Sequence, residues 1–181
     1  MNHQDHVNLL RGGIPSGKDA PSNAVWADLG SGHGAFTLAL AELLGPGGQI
    51  HSIDKDPWAL NKQKEALQVR YPGVRVYYHE ADFTCALDLP KLHGLVIANA
   101  LHFVPDHNKE NVVKLLKSYL NPGGRLILVE YNVDRGNPWI PYPLSFQTWE
   151  KLADLCGFAS TRLLARAPSS FLHEFYAGLS M

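Results

Sequence analysis

Cysteine, methionine, net charge and long apolar runs are all scarce in this chain. Cys85 and Cys156 are its only cysteines, far apart and in no CxxC pair. That excludes a disulfide framework and makes a reducing compartment the default. Lys plus Arg is 16 against 17 Asp plus Glu, a formal charge of −1. Such a balance argues against a dedicated nucleic-acid binder, which carries a basic excess. No window reaches the roughly 18 uninterrupted apolar residues of a membrane span. The opening MNHQDHVNLLRGG has no signal-peptide stretch. A cytoplasmic protein without a membrane partner is expected. The histidines form no ligand cluster, so no metal is expected either: His3 and His6 sit in the leader, and His51, His79 and His93 lie on or beside strands. Oligomeric state has no signature.

What is present is a globular composition, 45% hydrophobic and 18% charged over 181 residues. That length suits one domain with a core of its own. Residues 1–23 read as an irregular leader or lid, residues 24–131 as a binding core, and residues 132–181 as a further loop, helix and hairpin. Within the core, short apolar runs alternate with helical patterns. Strands are expected at 24–29, 49–53, 74–79, 94–98 and 125–130. Helices are expected at 35–44, 57–70 and 106–120, the last capped by Asp106. Runs such as Gly45-Pro46-Gly47-Gly48 and Asn121-Pro122-Gly123-Gly124 punctuate them. Apolar strands alternating with helices imply a parallel sheet covered on both faces. A helix from Ser145 to Cys156 is expected to follow. Two strand-like runs near 158–166 and 171–178 then suit an antiparallel pair.

The chemistry concentrates in the first strand-to-helix turn, Asp28-Leu29-Gly30-Ser31-Gly32-His33-Gly34-Ala35. Glycines there let the backbone turn sharply and approach a ligand. Gly30, Gly32 and Ala35 also satisfy the dinucleotide pattern, and Asp54 at the end of the second strand suits a ribose diol. A nicotinamide dinucleotide and another adenosine-bearing ligand are therefore both open at this point. Asp28 tilts the choice, because a carboxylate would repel a pyrophosphate and welcome an ammonium or sulfonium. Asp82 and Phe83 suit the amine and the face of adenine, or Asp82 simply forms a turn.

Asp-Leu-Gly-Ser-Gly-His-Gly at 28–34, Ile-Asp at 53–54, Ala-Asp-Phe at 81–83, Asn-Ala-Leu-His-Phe at 99–103 and Leu-Asn-Pro-Gly-Gly-Arg-Leu at 120–126 occur in order. Together they resemble the class I S-adenosylmethionine-dependent methyltransferases, in particular those acting on small molecules. The resemblance implies a Rossmann-like, doubly wound α/β fold with a mostly parallel seven-stranded sheet. Its order would be 3-2-1-4-5-7-6 with strand 7 antiparallel. It implies S-adenosylmethionine as methyl donor and S-adenosylhomocysteine as product. It also implies a cofactor set of Asp28, Gly30, Ser31, Gly32, Gly34, Asp54, Lys55, Asp82, Phe83, Asn99 and Ala100. Methyl transfer to RNA or protein, and cofactor binding without turnover, are the alternatives.

A base is needed only if the methyl acceptor must lose a proton. His102, Glu130, Tyr131 and Asn132 follow the fourth and fifth strands, where open α/β sheets bind ligands. His102 and Tyr131 are the candidate catalytic residues. His102, Glu130, Tyr131, Trp139 and Tyr142 are the candidate acceptor contacts. Pro138, Pro141 and Pro143 stiffen the segment that carries the two aromatics, and Leu9, Leu10 and Ile14 of the leader could close over that side. Trp149, at helical spacing from Phe146, reads as core.

Overall fold

The computed structural model describes residues 1–15, 21 and 23–181. The strands are β1 (Val25–Leu29), β2 (Gln49–Asp54), β3 (Arg75–Glu80), β4 (Leu92–Ala98), β5 (Leu120–Tyr131), β6 (Thr161–Pro168) and β7 (Glu174–Ser180). They form one sheet in the order β3-β2-β1-β4-β5-β7-β6. The pairs from β3 to β5 are parallel, and β7 runs antiparallel to both β5 and β6. The expected order and the expected reversed strand are both present.

Among the described residues five α-helices cover the sheet: α1 (His3–Arg11), α2 (Ala35–Leu44), α3 (Pro57–Arg70), α4 (Asp106–Ser118) and α5 (Phe146–Leu155). Two buried clusters lie on opposite faces. One joins α1, α2 and α3 to Trp26, Ile50, Val96, Ile127 and Val129. The other joins α4 and α5 to Ala27, Leu29, Ile53, Leu95, Ile97 and Leu128. Alternate residues of each central strand thus feed opposite layers, which is why these strands are apolar throughout. A fully buried tryptophan sits in each layer over a glycine of the sheet. A Cβ at Gly94 would lie 2.4 Å from the Trp26 ring, and one at Gly178 would lie 3.0 Å from Trp149. Trp149 is core, as its spacing implies.

Three expectations need correction. The leader is not irregular: Asn2 and Asp5 form a reciprocal capping box that starts α1. Its Val7, Leu9 and Leu10, with Ile14 beyond it, are buried in the α2 layer. Those residues are core on the face of α2, and none of them lines the cleft described below. The rest of the leader, 16–20 and 22, lies outside the described residues. Asp106 does not cap α4. Pro105 holds the cap position without a side-chain bond, and Asp106 accepts from Lys109 Nζ at 2.5 Å. The turn at 121–124 is a bulge inside β5, where Leu92 pairs with Leu120 and Gly94 with Arg125.

Candidate active site

The glycine loop is drawn over the end of β2 by Gly30 and Ser31, whose N–H groups both donate to Ile53 O, at 2.9 and 3.0 Å. Gly30, Gly32 and Gly34 all have positive φ, at 67°, 51° and 83°. Glycine is required at two of them for space as well. A Cβ on Gly30 would stand 2.6 Å from Ala100 Cβ, and one on Gly34 would stand 2.4 Å from Gln63 Cβ. Gly32 faces open space and donates its N–H to Asp54 Oδ2 at 2.7 Å. The other Asp54 oxygen accepts from Asp56 N at 2.9 Å. Beneath the loop, Gln63 Nε2 donates to Ser31 Oγ and Gly32 O, both at 3.0 Å, and Ser52 Oγ lies 2.8 Å from Ser31 Oγ. Sequence reasoning missed Gln63. Its only signal is a polar residue on the buried stripe of α3 between Leu60 and Leu67.

A cleft of about 780 Å³ opens beyond this loop, at the carboxyl ends of β1 to β4. Gly30, Gly32, Asp54, Lys55, Asp82, Phe83, Asn99 and Ala100 line it together. The remaining residues of the expected cofactor set do not reach it. Ser31 and Gly34 face the Gln63 network, and Asp28 is buried behind the loop, accepting from Thr37 Oγ1 at 2.6 Å. Burial pushes the Asp28 carboxyl up to about 7; the Thr37 bond opposes that shift and the nearby Asp54 charge adds to it. Asp82 does form a turn. Its Oδ1 accepts from Thr84 N at 2.9 Å and from Thr84 Oγ1 at 2.7 Å, while Oδ2 has no partner among the described residues. Those two bonds, with Lys55 nearby, hold its carboxyl below the usual range.

Asn99 is the most unusual residue in the cleft. It holds φ at 51°, a left-handed conformation uncommon outside glycine, and its Oδ1 is buried with no hydrogen-bond partner. Opposite the loop, α4 presents Asn108, Asn111, Val112 and Leu115 to the cleft. Sequence reasoning missed both asparagines, although 108, 111, 112 and 115 share one helical face.

Acceptor-side candidates lie next door. His102 sits in a single 3-10 turn, Leu101–Phe103, directly after Asn99 and Ala100. It is 2% exposed, and its Nδ1 donates to Glu130 Oε2 at 2.7 Å. The other Glu130 oxygen accepts from His102 N at 3.2 Å. Nε2 has no hydrogen-bond partner among the described residues. Glu130 is fully buried, so it orients His102 and cannot meet an acceptor itself. Tyr131 lies 6.3 Å from His102, ring to ring, and burial beside Glu130 raises its hydroxyl above the ordinary value. Asn132 is a tether: it donates to Glu174 at 2.6 Å and accepts from Phe146 N at 3.0 Å. Trp139 is 74% exposed on the proline-rich segment. The Tyr142 carbonyl accepts from Lys109, and its N–H donates to His102 O at 3.0 Å. The two aromatics therefore form no closed wall around His102. Phe103 links the two sides, lining the cleft while its ring packs 4.3 Å from that of His102.

The fold is a doubly wound α/β sheet, and the cleft opens where the strand order reverses, between β1 and β4, the place where open α/β sheets bind ligands. The chain belongs to the methyltransferase domain family, whose model matches residues 27–124. It is 32% identical over 118 residues to a carboxy-S-adenosyl-L-methionine synthase of Chromohalobacter salexigens, a match covering 62% of this chain and 43% of that protein. It is 29% identical to a ubiquinone/menaquinone biosynthesis C-methyltransferase of Ectopseudomonas mendocina, over 65% of this chain and 45% of that one. The chain thus spans less than half the length of these relatives. Among solved structures, an S-adenosylmethionine-dependent methyltransferase of Leishmania major superposes with a TM-score of 0.77 at 18% identity, covering 99% of this chain and 72% of that one. Human N-acetylserotonin methyltransferase, solved with its cofactor, superposes at 0.69 and 19% identity, over 97% and 51%. No helix among the described residues is long and apolar enough to cross a membrane.

Proposed function

We propose that the chain transfers a methyl group from S-adenosylmethionine to a small-molecule acceptor, with His102 as the acceptor-side base and Glu130 as its positioning residue. The observation that carries this reading is the joint lining of one cleft by Asp54, Asp82, Phe83 and Asn99 beside the bare backbone of Gly30 and Gly32. Asp54 suits a ribose diol, the free Asp82 oxygen an adenine amine, and Phe83 the face of the base. The bare backbone at Gly30 and Gly32 leaves room for the amino-acid end. The charged lining residues are Asp54, Asp82 and Lys55, a net negative set that favours a cationic ligand over a pyrophosphate.

When bound, S-adenosylmethionine supplies a methyl on a sulfonium, which passes to a nucleophile as the C–S electron pair returns to sulfur. The protein's own part is placement, worth several kcal/mol of the barrier when donor and acceptor are held in line, on the scale of up to about 7–11 kcal/mol for well-oriented reactions. Glu130 fixes the His102 tautomer, keeping the proton on Nδ1 and leaving Nε2 to take one from the acceptor.

Thermal unfolding with S-adenosylmethionine, S-adenosylhomocysteine and NAD in parallel tests the donor. At 100 times its Kd a ligand adds about 2.7 kcal/mol, a rise of roughly 5–10 °C for a chain of this size. A rise with the two adenosyl compounds alone supports the reading. A rise with NAD alone overturns it.

A further inference from the structure

Large apolar side chains left in water mark a surface with an apolar occupant when they are grouped. Four rings run outward from the cleft in a chain. Phe103 packs on His102 at 4.3 Å, His102 faces Tyr131 at 6.3 Å, and Tyr131 meets Phe171 at 6.2 Å. Phe103 is 61% exposed and Phe171 53%. Tyr131 is backed by buried Phe175, its direct partner across the β5–β7 ladder, at 4.3 Å. The two exposed phenylalanines therefore stand at the ends of a ledge whose middle is the partly buried Tyr131, with the buried His102 beneath it.

Phe171 reaches this ledge from the turn between β6 and β7, far along the chain and outside the stretch the family model matches. The turn is ordered. Ser169 Oγ accepts from Phe171 N at 3.1 Å and from Leu172 N at 3.2 Å, and Ser169 N donates to His173 O at 2.9 Å. His173 holds φ at 43° to close it. Nothing in the packing of the core requires a phenylalanine at this tip, since it belongs to neither buried cluster.

We propose that Phe103, Tyr131 and Phe171 form the seat of the methyl acceptor and that the acceptor is a flat aromatic ring carrying an ionisable hydroxyl. This rests on the function proposed above. The ring would lie on the aromatic ledge, where stacked and edge-on contacts favour it over a saturated ring of equal size. The hydroxyl would point at His102 Nε2, which like the Tyr131 hydroxyl has no hydrogen-bond partner among the described residues. Phe171 sets specificity by contact with the acceptor's ring, away from the reacting atom.

The probe is 2-naphthol, whose own fluorescence reports its binding to the protein, free and saturated with S-adenosylhomocysteine. Cyclohexanol and 2-methoxynaphthalene serve as competitors. The proposal expects 2-naphthol to bind, 2-methoxynaphthalene to compete about ten-fold more weakly, and cyclohexanol not to compete. Phe171→Ala weakens 2-naphthol about ten-fold, Phe171→Tyr restores it, and neither changes the thermal shift with S-adenosylhomocysteine. Failure of 2-naphthol to bind, binding indifferent to Phe171→Ala, or equal competition by cyclohexanol would each overturn the aromatic seat. If S-adenosylhomocysteine gives no thermal shift in the unaltered protein, the donor reading fails instead, and the two failures are distinguished.

Discussion

On the β1–β4 side of His102, the loop wall of the cleft is backbone and short polar side chains whose places are doubly fixed. Glycines in left-handed conformations press against Ala100 and Gln63, and a serine–glutamine network braces them from below. On the β5–β7 side, the surface is a row of rings, half in water, carried by a strand end and a hairpin tip. A site that takes one invariant ligand is best served by rigid, space-limited backbone. A site that selects among ligands is served by side chains that can change without disturbing the fold. The comparison predicts that substitutions in the cleft cost both stability and binding, while those at the hairpin-tip end of the ledge alter acceptor choice alone.

The largest effect should come where the two regions meet. His102→Ala is expected to lower kcat by about 10²- to 10⁴-fold while leaving the thermal shift with S-adenosylhomocysteine intact; single-turnover methyl transfer and unfolding curves check the two halves. Asp28 comes next. Its carboxyl is raised on folding from 3.8 to about 7, so the folded chain binds this proton more tightly than the unfolded one. The group's contribution is therefore present at low pH, falls as pH rises between those values, and becomes a net cost above them, of at most about 4 kcal/mol. Asp28→Asn should flatten the stability–pH profile across that window and raise Tm at pH 8. It should also weaken S-adenosylmethionine, which carries an extra sulfonium charge, more than the net-neutral S-adenosylhomocysteine.

Gly30→Ala sharpens the contrast from the cleft side. The added methyl meets Ala100 at 2.6 Å in a left-handed conformation, an overpacking of about 1–3 kcal/mol, and the adenosyl thermal shift should vanish with it. The smallest effect belongs to α1. Asn2→Ala removes the capping box and should cost about 1 kcal/mol by denaturant unfolding. It should leave ligand shifts and acceptor affinity unchanged, whereas a lid would lose both.

Legibility in the sequence followed the same division. The strands, helices and glycine loop were readable because apolar runs, glycines and turn residues act locally, while the strand order rested on the family resemblance. Asp54, Asp82 and Asn99 sit at strand ends, so their placement followed from the strands. The capping box of Asn2 and Asp5 was local too, yet it was lost in a polar, glycine-rich opening. Burial of Asp28 and Ser31 behind the loop was not readable, because it depends on Thr37 and Gln63 arriving from two different helices. The same holds for Phe171, forty residues beyond Tyr131 in sequence and beside it in space.

The four tryptophans give this molecule an optical signature in two parts. Trp26 and Trp149 are fully enclosed, one in each layer, with indole N–H groups that meet no acceptor. Trp58 and Trp139 stand in water, the first edge-on to His33 of the glycine loop at 5.1 Å, the second on the proline-rich segment. Emission should therefore split into a blue component that an aqueous quencher cannot reach and a red one that it can. The blue component would report the integrity of each layer, and the red one would report events at the glycine loop and the proline-rich segment, without any added label.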